Sequence, residues 1–155
     1  MYSLKLVPIA IGIVVNFKLI KLQLMATIQK FEDLKVWQKA RELSQKIYPL
    51  TFIEPICSDF RFKDQIRGSL GSIMDNIAEG FGRGSRLEFI TGLNTSRGET
   101  DELKSQLYRG KDNKYFSEEQ FNEYYALADE VTKMNTSQIS YLNKSKIKGQ
   151  RFKNR

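Results

Sequence analysis

The fold is decided by residues 64–103, which read DQIRGSLGSIMDNIAEGFGRGSRLEFITGLNTSRGETDEL. Before the glycines, apolar residues recur at intervals of three and four, as on one face of a helix. They are Ile66, Leu70, Ile73, Ile77 and Phe81. Gly80, Gly82 and Gly84 interrupt that pattern, and a second apolar stripe begins at Leu87. The stretch therefore predicts an antiparallel hairpin of two long helices, joined by a glycine turn and with both stripes facing inward.

Several polar residues lie on or beside these stripes, namely Arg67, Asn76, Glu79, Asn94, Arg97, Glu99 and Glu102. Because a buried charge without a partner costs several kcal/mol, we expect these residues to pair with one another. Equal rise per residue on both sides of the turn places Arg67 level with Glu102, which predicts that Arg67 pairs with Glu102 or Glu99. Asn76 and Glu79 are predicted to join a polar network with Asn94 or Arg97. This network is interpreted as structural, fixing the helix register, and a carboxylate-based active site is the alternative.

A further helix is predicted on each side of the hairpin. Helix one runs from Glu32 or Asp33 to Tyr48, with Asp33 as its N-cap. Its inward face comprises Leu34, Trp37, Ala40, Leu43, Ser44 and Ile47. Trp37 is interpreted as a core or interface anchor, with a base-stacking platform as the alternative.

Helix four begins at the capping box Ser117-Glu118-Glu119-Gln120. Its apolar stripe comprises Phe121, Tyr124, Tyr125, Ala128, Val131, Gln138, Ile139 and Leu142. Helix three, the second half of the hairpin, is predicted to span about Arg86 to Tyr108. Together the four segments predict an all-α, antiparallel, up-down-up-down four-helix bundle over residues 30–143.

Glycines inside helix two and in the turn lead to separate predictions. Gly68 and Gly71 each lower helix propensity by roughly 1 kcal/mol relative to alanine, which indicates that a neighbouring backbone approaches closely. The turn from Gly80 to Ser85 resembles a phosphate cradle in composition, but no strand precedes it, and turn geometry explains its glycines. Ser85 is predicted to cap helix three. The alternative is an anion or RNA phosphate at this helix start, flanked by Arg83 and Arg86.

Three segments resemble a known family. Residues 72–83, SIMDNIAEGFGR, are similar to the S-I-x-x-N-I-A-E-G-x-G-R segment that ends helix two in the four-helix-bundle family named for 23S rRNA intervening sequences. Residues 88–98, EFITGLNTSRG, are similar to the start of that family's helix three, and residues 31–40, FEDLKVWQKA, to its helix one. The resemblance covers residues 30–143. The chain departs from the family at Arg67-Gly68 (usually Arg-Ala), Met74-Asp75 (usually Pro-Ala) and Gly98-Glu99 (usually Gly-Ser).

The resemblance implies a non-catalytic, oligomeric protein associated with RNA or DNA. Family members are encoded within intervening sequences of bacterial large-subunit rRNA genes or as stand-alone genes. Some are similar to the accessory variability determinant of diversity-generating retroelements, a basic bundle that binds nucleic acid. Because structures in that group are ring-shaped homopentamers, a homopentamer is expected. The alternative is a protein-binding scaffold without nucleic-acid binding, assembled through Trp37, Tyr124 and Tyr125.

Basic residues are concentrated at the two ends of the chain. The formal net charge is +7, but four lysines in residues 1–30 and six cations in residues 143–155 leave residues 31–142 at −3. The C-terminal cations are Lys144, Lys146, Lys148, Arg151, Lys153 and Arg155. Because nucleic-acid binding rests on local positive charge, these six residues, Arg83 and Arg86 are the candidate phosphate contacts. A disordered, solubilising tail over residues 144–155 is the alternative.

Residues 1–29 are predicted to lie outside the bundle. Residues 1–24 hold no acidic residue, and the apolar run from Leu6 to Phe17 is shorter than the roughly 20 residues that span a bilayer. We interpret the segment as a disordered extension or as a misplaced start upstream of Met25. A weak signal or anchor and real core structure are the alternatives.

Missing residue types exclude several classes of site. The chain has no histidine, which excludes Glu-x-x-His di-iron sites and zinc sites of histidine and cysteine, and removes the base of a hydrolase triad. The single cysteine, Cys57, cannot form an internal disulfide, is interpreted as inert, and suits a reducing cytoplasm. We expect no enzyme activity, no cofactor or metal, no small-molecule substrate and no membrane partner. A metal-dependent nuclease that uses only Asp and Glu is the alternative.

Overall fold

The computed structural model describes residues 28–146 and Gly149 and contains, within them, four α-helices and no strand. The helices are α1 Lys35–Ile47, α2 Phe60–Gly82, α3 Arg86–Asp112 and α4 Glu118–Lys144. Helices α1 and α3 each pack against both α2 and α4. Contacts between neighbouring helices pair residues in opposite chain directions, so the arrangement is up-down-up-down. The predicted all-α four-helix bundle is confirmed.

The core is formed by one apolar face from each helix. The predicted stripe of α2 is buried at Ile66, Leu70, Ile73 and Ile77, each exposed by 1% or less. The other helices contribute Leu43 and Ile47 from α1, Leu93, Leu103 and Leu107 from α3, and Ala128 and Val131 from α4. Spacings of three and four residues placed these side chains on one face of each helix, so local periodicity identified them. The prediction was wrong for Leu87, the expected start of the α3 stripe, which lies in the first turn of α3 and is 66% exposed.

Two aromatic residues that the sequence suggested for an interface pack against other rings of the same chain. Trp37 is half-buried and packs edge-on against Phe31, with ring centroids 5.0 Å apart. Tyr124 is only 5% exposed and meets Phe116 edge-on at 5.7 Å. Packing therefore accounts for both rings, and Tyr124 presents little surface for the scaffold alternative.

Side-chain caps define the starts of α2 and α4. The Phe62 amide donates to Asp59 Oδ1 at 3.0 Å, which caps α2. At α4 the Gln120 amide donates to Ser117 Oγ at 3.1 Å and the Ser117 amide donates to Gln120 Oε1 at 3.0 Å. The predicted capping box is therefore confirmed.

Three predicted details of the helix ends differ in the structure. Asp33 does not cap α1, because it belongs to a short 3₁₀ turn, Phe31–Asp33, and Leu34 occupies the N-cap position. The Leu34 amide donates to the Phe31 carbonyl oxygen at 3.0 Å, which closes this turn, and Leu34 is 3% exposed. Ser85 occupies the N-cap position of α3, but its side chain makes no capping hydrogen bond. Helix α3 also continues past Tyr108, to Asp112.

The close approach of helices occurs at other glycines than the sequence suggested. A Cβ atom added to Gly68 would meet nothing within 4 Å, and one added to Gly71 would meet only the Asp75 carboxylate, at 3.9 Å. The prediction for Gly68 and Gly71 was therefore wrong. Gly80 of α2 and Gly92 of α3 are in backbone contact instead, since a Cβ on Gly80 would lie 3.0 Å from the Gly92 Cα.

Some predictions fall outside the described residues. These are the extension over residues 1–29, of which only 28 and 29 are described, and the tail over residues 144–155, of which only 144–146 and 149 are described. Across the described part of the chain, every helix is too short or too polar to cross a membrane.

Candidate nucleic-acid interface

Arg67 does not form the predicted ion pair with Glu102 or Glu99. Its Nε donates to the Thr51 hydroxyl at 2.7 Å, and its guanidinium carbon lies 4.3 Å from the Phe52 ring centroid. Successive residues turn by about 100° around a helix, so Arg67 points some 200° away from Ser69, which faces α3. The predicted pairing was wrong because level position along two helices does not fix which way each side chain points.

The predicted network of Asn76 and Glu79 with Asn94 or Arg97 is also absent. Asn76 Nδ2 donates to the Ser72 carbonyl oxygen at 2.8 Å, and Asn94 Nδ2 donates to the Ile90 carbonyl oxygen at 3.1 Å. Both amides thus donate to a carbonyl oxygen one turn earlier in their own helix. Short polar side chains commonly form such local hydrogen bonds with the backbone.

The charged members of that predicted set are exposed or half-buried and do not pair with one another. Exposed Glu79 pairs with Arg83 one turn further along the helix. Arg97 and Glu99 are half-buried and form neither a side-chain hydrogen bond nor an ion pair with any described residue. Exposed Glu102 accepts a hydrogen bond from Gln106 Nε2 at 3.1 Å within α3. Because water solvates these groups, they do not need the mutual pairing that burial would have required.

A different set of polar residues is buried between the helices. Gln106, 1% exposed, donates from Nε2 to Ser69 Oγ at 2.8 Å and so links α3 to α2. Asn135, fully buried on α4, donates from Nδ2 to Ser96 Oγ at 3.2 Å. Thr100, also fully buried, donates to the Ser96 carbonyl oxygen at 2.7 Å.

The sequence contained a signal for these buried residues. Asn135 follows Val131 by four positions and Ala128 by seven, so it lies on the apolar stripe of α4. Gln106 likewise follows Leu103 by three positions on α3. Stripe position therefore indicated these two residues, but it did not separate them from Asn76, which follows Ile73 by three positions and is only half-buried.

An open cleft of about 200 Å³ lies where α2 and α3 cross near the glycine turn. Its lining consists of Asn76, Glu79, Gly80, Arg83, Glu88, Thr91, Gly92 and Thr95. Arg83 pairs with Glu79 and, at 3.3 Å, with Glu88, and these two carboxylates raise the pKa of Arg83 above its already high usual value. The Thr91 and Thr95 hydroxyls donate to carbonyl oxygens of their own helix. The lining of the cleft thus includes an arginine that already pairs with two carboxylates of the same lining.

The C-terminal segment meets the turn between α2 and α3. The Arg86 guanidinium donates to the Ser145 carbonyl oxygen, 59 positions away in sequence. Gly149 lies against the same turn with φ +114°, and a Cβ on it would come within 3.1 Å of the Ser85 Cα. Only glycine adopts that backbone conformation without strain. The contact brings two groups of candidate phosphate contacts, Arg83 and Arg86 on one side and exposed Lys144 and Lys146 on the other, to the same end of the bundle.

Cys57 lies in a setting that disfavours a thiolate. Its Sγ donates to Glu54 Oε1 at 2.9 Å, and this carboxylate raises the pKa of the Cys57 thiol. A thiol that stays protonated is a poor nucleophile. Within the described residues, no three His, Cys, Asp or Glu side chains are grouped so that they could hold a metal ion.

Fold and site together define a helical-bundle protein with a glycine-linked central hairpin and a C-terminal segment anchored to its turn. Residues 32–137 match the family model described as 23S rRNA-intervening sequence protein. The chain belongs to that family.

A solved structure supports the same relationship. The crystal structure of a protein with unknown function from the S23 ribosomal protein family of Bacteroides thetaiotaomicron superposes with a TM-score of 0.62 and is 27% identical. The match covers 68% of this chain and 95% of the other. Among curated proteins, none matches this chain.

Proposed function

We propose that this protein is a non-catalytic, oligomeric adaptor of the cytoplasm that binds RNA or DNA through phosphate contacts at one end of its bundle. The observation that carries the proposal is the contact of Arg86 with Ser145, together with Gly149 against the Gly84–Arg86 turn. These contacts bring the start of the basic C-terminal segment beside the arginines of the turn. Arg83, Arg86, Lys144, Lys146, Lys148, Arg151, Lys153 and Arg155 are the proposed phosphate contacts.

Charge distribution supports binding by this end of the molecule. Residues 31–142 carry a net charge of −3, whereas residues 143–155 carry six cations and no acidic residue. A polyanion is therefore repelled by the bundle as a whole and attracted locally. Each phosphate neutralised releases condensed counterions, so the affinity should fall steeply as the salt concentration rises.

The two arginines of the turn are not equivalent in this proposal. Arg83 is held by Glu79 and Glu88, and a phosphate would have to compete with both carboxylates for its guanidinium. Arg86 is half-buried and anchors the Ser145 carbonyl oxygen. We therefore assign most of the affinity to the C-terminal lysines and arginines, with Arg86 as the residue that positions them.

The test is fluorescence anisotropy of a labelled single-stranded RNA, titrated with the full chain at several KCl concentrations. Replacing Lys144, Lys146 and Lys148 together by glutamine should weaken binding and lower the salt slope by about one for each phosphate that is no longer neutralised. The matched control replaces Lys46, Lys114 and Lys133, which are exposed and lie elsewhere on the bundle. Equal weakening in both triple variants, or no binding by the unaltered chain, would contradict the proposal.

Oligomerisation is the second part of the proposal and rests on the family resemblance. Light scattering of the full chain at micromolar concentration should give about five times the mass of the 18.0 kDa chain. A monomeric mass would contradict the predicted pentamer, whereas the proposed phosphate contacts would stand. An oligomer that fails to bind RNA or DNA would instead favour the scaffold alternative.

A further inference from the structure

Three exposed aromatic side chains lie towards the end of α2 that is opposite the glycine turn. Tyr48 and Phe52 lie in the connection between α1 and α2 and are 41% and 64% exposed, and Phe60, the first residue of α2, is 70% exposed. We call these three residues the aromatic end. Large apolar side chains left in solvent together commonly mark a binding surface.

Two of these rings carry a cation on one face. The Arg67 guanidinium carbon lies 4.3 Å from the Phe52 ring centroid and 5.1 Å from that of Tyr48. Lys63 Nζ lies 4.3 Å from the Phe60 ring centroid. Both cations are held in place, because Arg67 donates to Thr51 and Lys63 Nζ donates to the Cys57 carbonyl oxygen at 3.0 Å. Phe52 and Phe60 therefore already have a hydrogen-bonded cation on one face in the absence of any ligand.

We propose that the aromatic end is a stacking platform for the unpaired bases of single-stranded nucleic acid, an inference that rests on the proposed function. Phe52 and Phe60 retain most of their surface in solvent even though a cation covers part of each ring. A base can stack on the remaining aromatic surface, and Arg67 and Lys63 beside the rings are the proposed partners of the adjoining phosphates. This combination of π-face and cation suits a ligand with both bases and phosphates.

Nearby carboxylates determine how strongly binding at this surface depends on the salt concentration. Glu54 accepts hydrogen bonds from Cys57 and Ser58, Asp59 accepts from the Phe62 amide and the Tyr115 hydroxyl, and Asp64 is exposed. These three anions balance Arg61, Lys63 and Arg67 in the same stretch of sequence. Binding at the aromatic end should therefore depend on stacking and only weakly on salt, unlike binding by the C-terminal cations.

The cations also favour nucleic acid over an apolar protein partner. A purely apolar surface seated on Phe52 and Phe60 would remove Arg67 and Lys63 from water without supplying negative charge. Burying a charged group without compensation is costly. Phosphates flanking a stacked base supply that compensation.

The test compares a labelled twelve-nucleotide oligouridine with an abasic sugar–phosphate strand of the same length, both titrated with the full chain. Phe52→Ala and Phe60→Ala combined should weaken oligouridine binding by about tenfold or more, since one stacked base accounts for that factor. Affinity for the abasic strand and the salt slope should not change. Leu87→Ala is the matched control, because Leu87 is 66% exposed but lies at the start of α3.

The outcomes separate this inference from the proposed function. If both strands bind through the C-terminal tail and the phenylalanine variant binds them as tightly as the unaltered chain, the platform alone is overturned. Binding of neither strand by the unaltered chain would overturn both proposals. If the phenylalanine variant binds oligouridine normally but has a lower mass in light scattering, the aromatic end is a protein interface and the platform is rejected.

Discussion

Gly80 and Gly92 lie against each other where α2 crosses α3, and a Cβ atom on Gly92 would stand 2.9 Å from the Gly80 Cα. It would also collide with the Asn76 carbonyl oxygen. The two helices can approach this closely because neither presents a side chain at the contact. Both glycines also belong to the lining of the cleft beside the turn.

Gly92→Ala should destabilise the bundle, because an added methyl group forces the two backbones apart. Overpacking of this kind costs about 1–3 kcal/mol. Gly98→Ala on the same helix is the control, since its Cβ would meet nothing within 4 Å and alanine should gain up to about 1 kcal/mol in helix propensity. Urea unfolding followed by circular dichroism measures both. Opposite signs are expected, and equal effects would contradict the close contact.

Arg67→Gln should lower the free energy of unfolding, because it removes the hydrogen bond to buried Thr51 and the contact with Phe52. Hydrogen bonds to charged groups contribute about 1.5–3 kcal/mol. A double-mutant cycle with Thr51→Val should show coupling between the two residues. Glu99→Gln is the control and should leave stability unchanged. If Glu99→Gln destabilised as much as Arg67→Gln, an ion pair between Arg67 and Glu99 would be the better description.

Asn135→Asp should destabilise the bundle strongly at neutral pH, since it places a carboxyl group at a fully buried position beside Ser96. Desolvation raises the pKa of a buried carboxyl in the folded state. The cost, about 3 kcal/mol or more, should shrink as the pH falls and the group becomes neutral. Asn122→Asp, at an exposed position of the same helix, is the control. An equal, pH-independent effect of both substitutions would be inconsistent with burial of Asn135.

Acid should weaken the start of α2 through Asp59. Hydrogen bonds from the Phe62 amide and the Tyr115 hydroxyl hold the pKa of Asp59 below its usual value. Because the folded-state pKa is lowered, this stabilisation is complete above the unfolded pKa of about 3.9 and is lost as the pH falls through the folded value.

Asp59→Asn therefore should lose less stability than the unaltered chain between about pH 4 and pH 2, the range below the unfolded carboxyl pKa. Asparagine retains a capping oxygen, so the helix start is preserved. Tyr115→Phe removes one of the two donors and should reduce the same acid-dependent effect by a smaller amount. Parallel pH profiles for all three proteins in thermal unfolding would rule out this role of Asp59.

Local sequence signals determined the helices and the bundle. The spacing of Ile66, Leu70, Ile73 and Ile77 predicted a buried face, and Ser117 with Gln120 predicted a capping box, because both depend on neighbours within one or two turns. The glycine turn was predicted for the same reason. None of these features requires knowledge of what packs against the helix.

Only the tertiary structure decided which polar groups meet. Arg67 contacts Thr51 and not Glu102, Gln106 reaches Ser69, and Gly92, not Gly68 or Gly71, marks the helix crossing. Each of these outcomes depends on the rotation of a helix about its axis and on which neighbour lies opposite. Periodicity within one helix fixes its buried face, but that rotation is set by packing among all four helices.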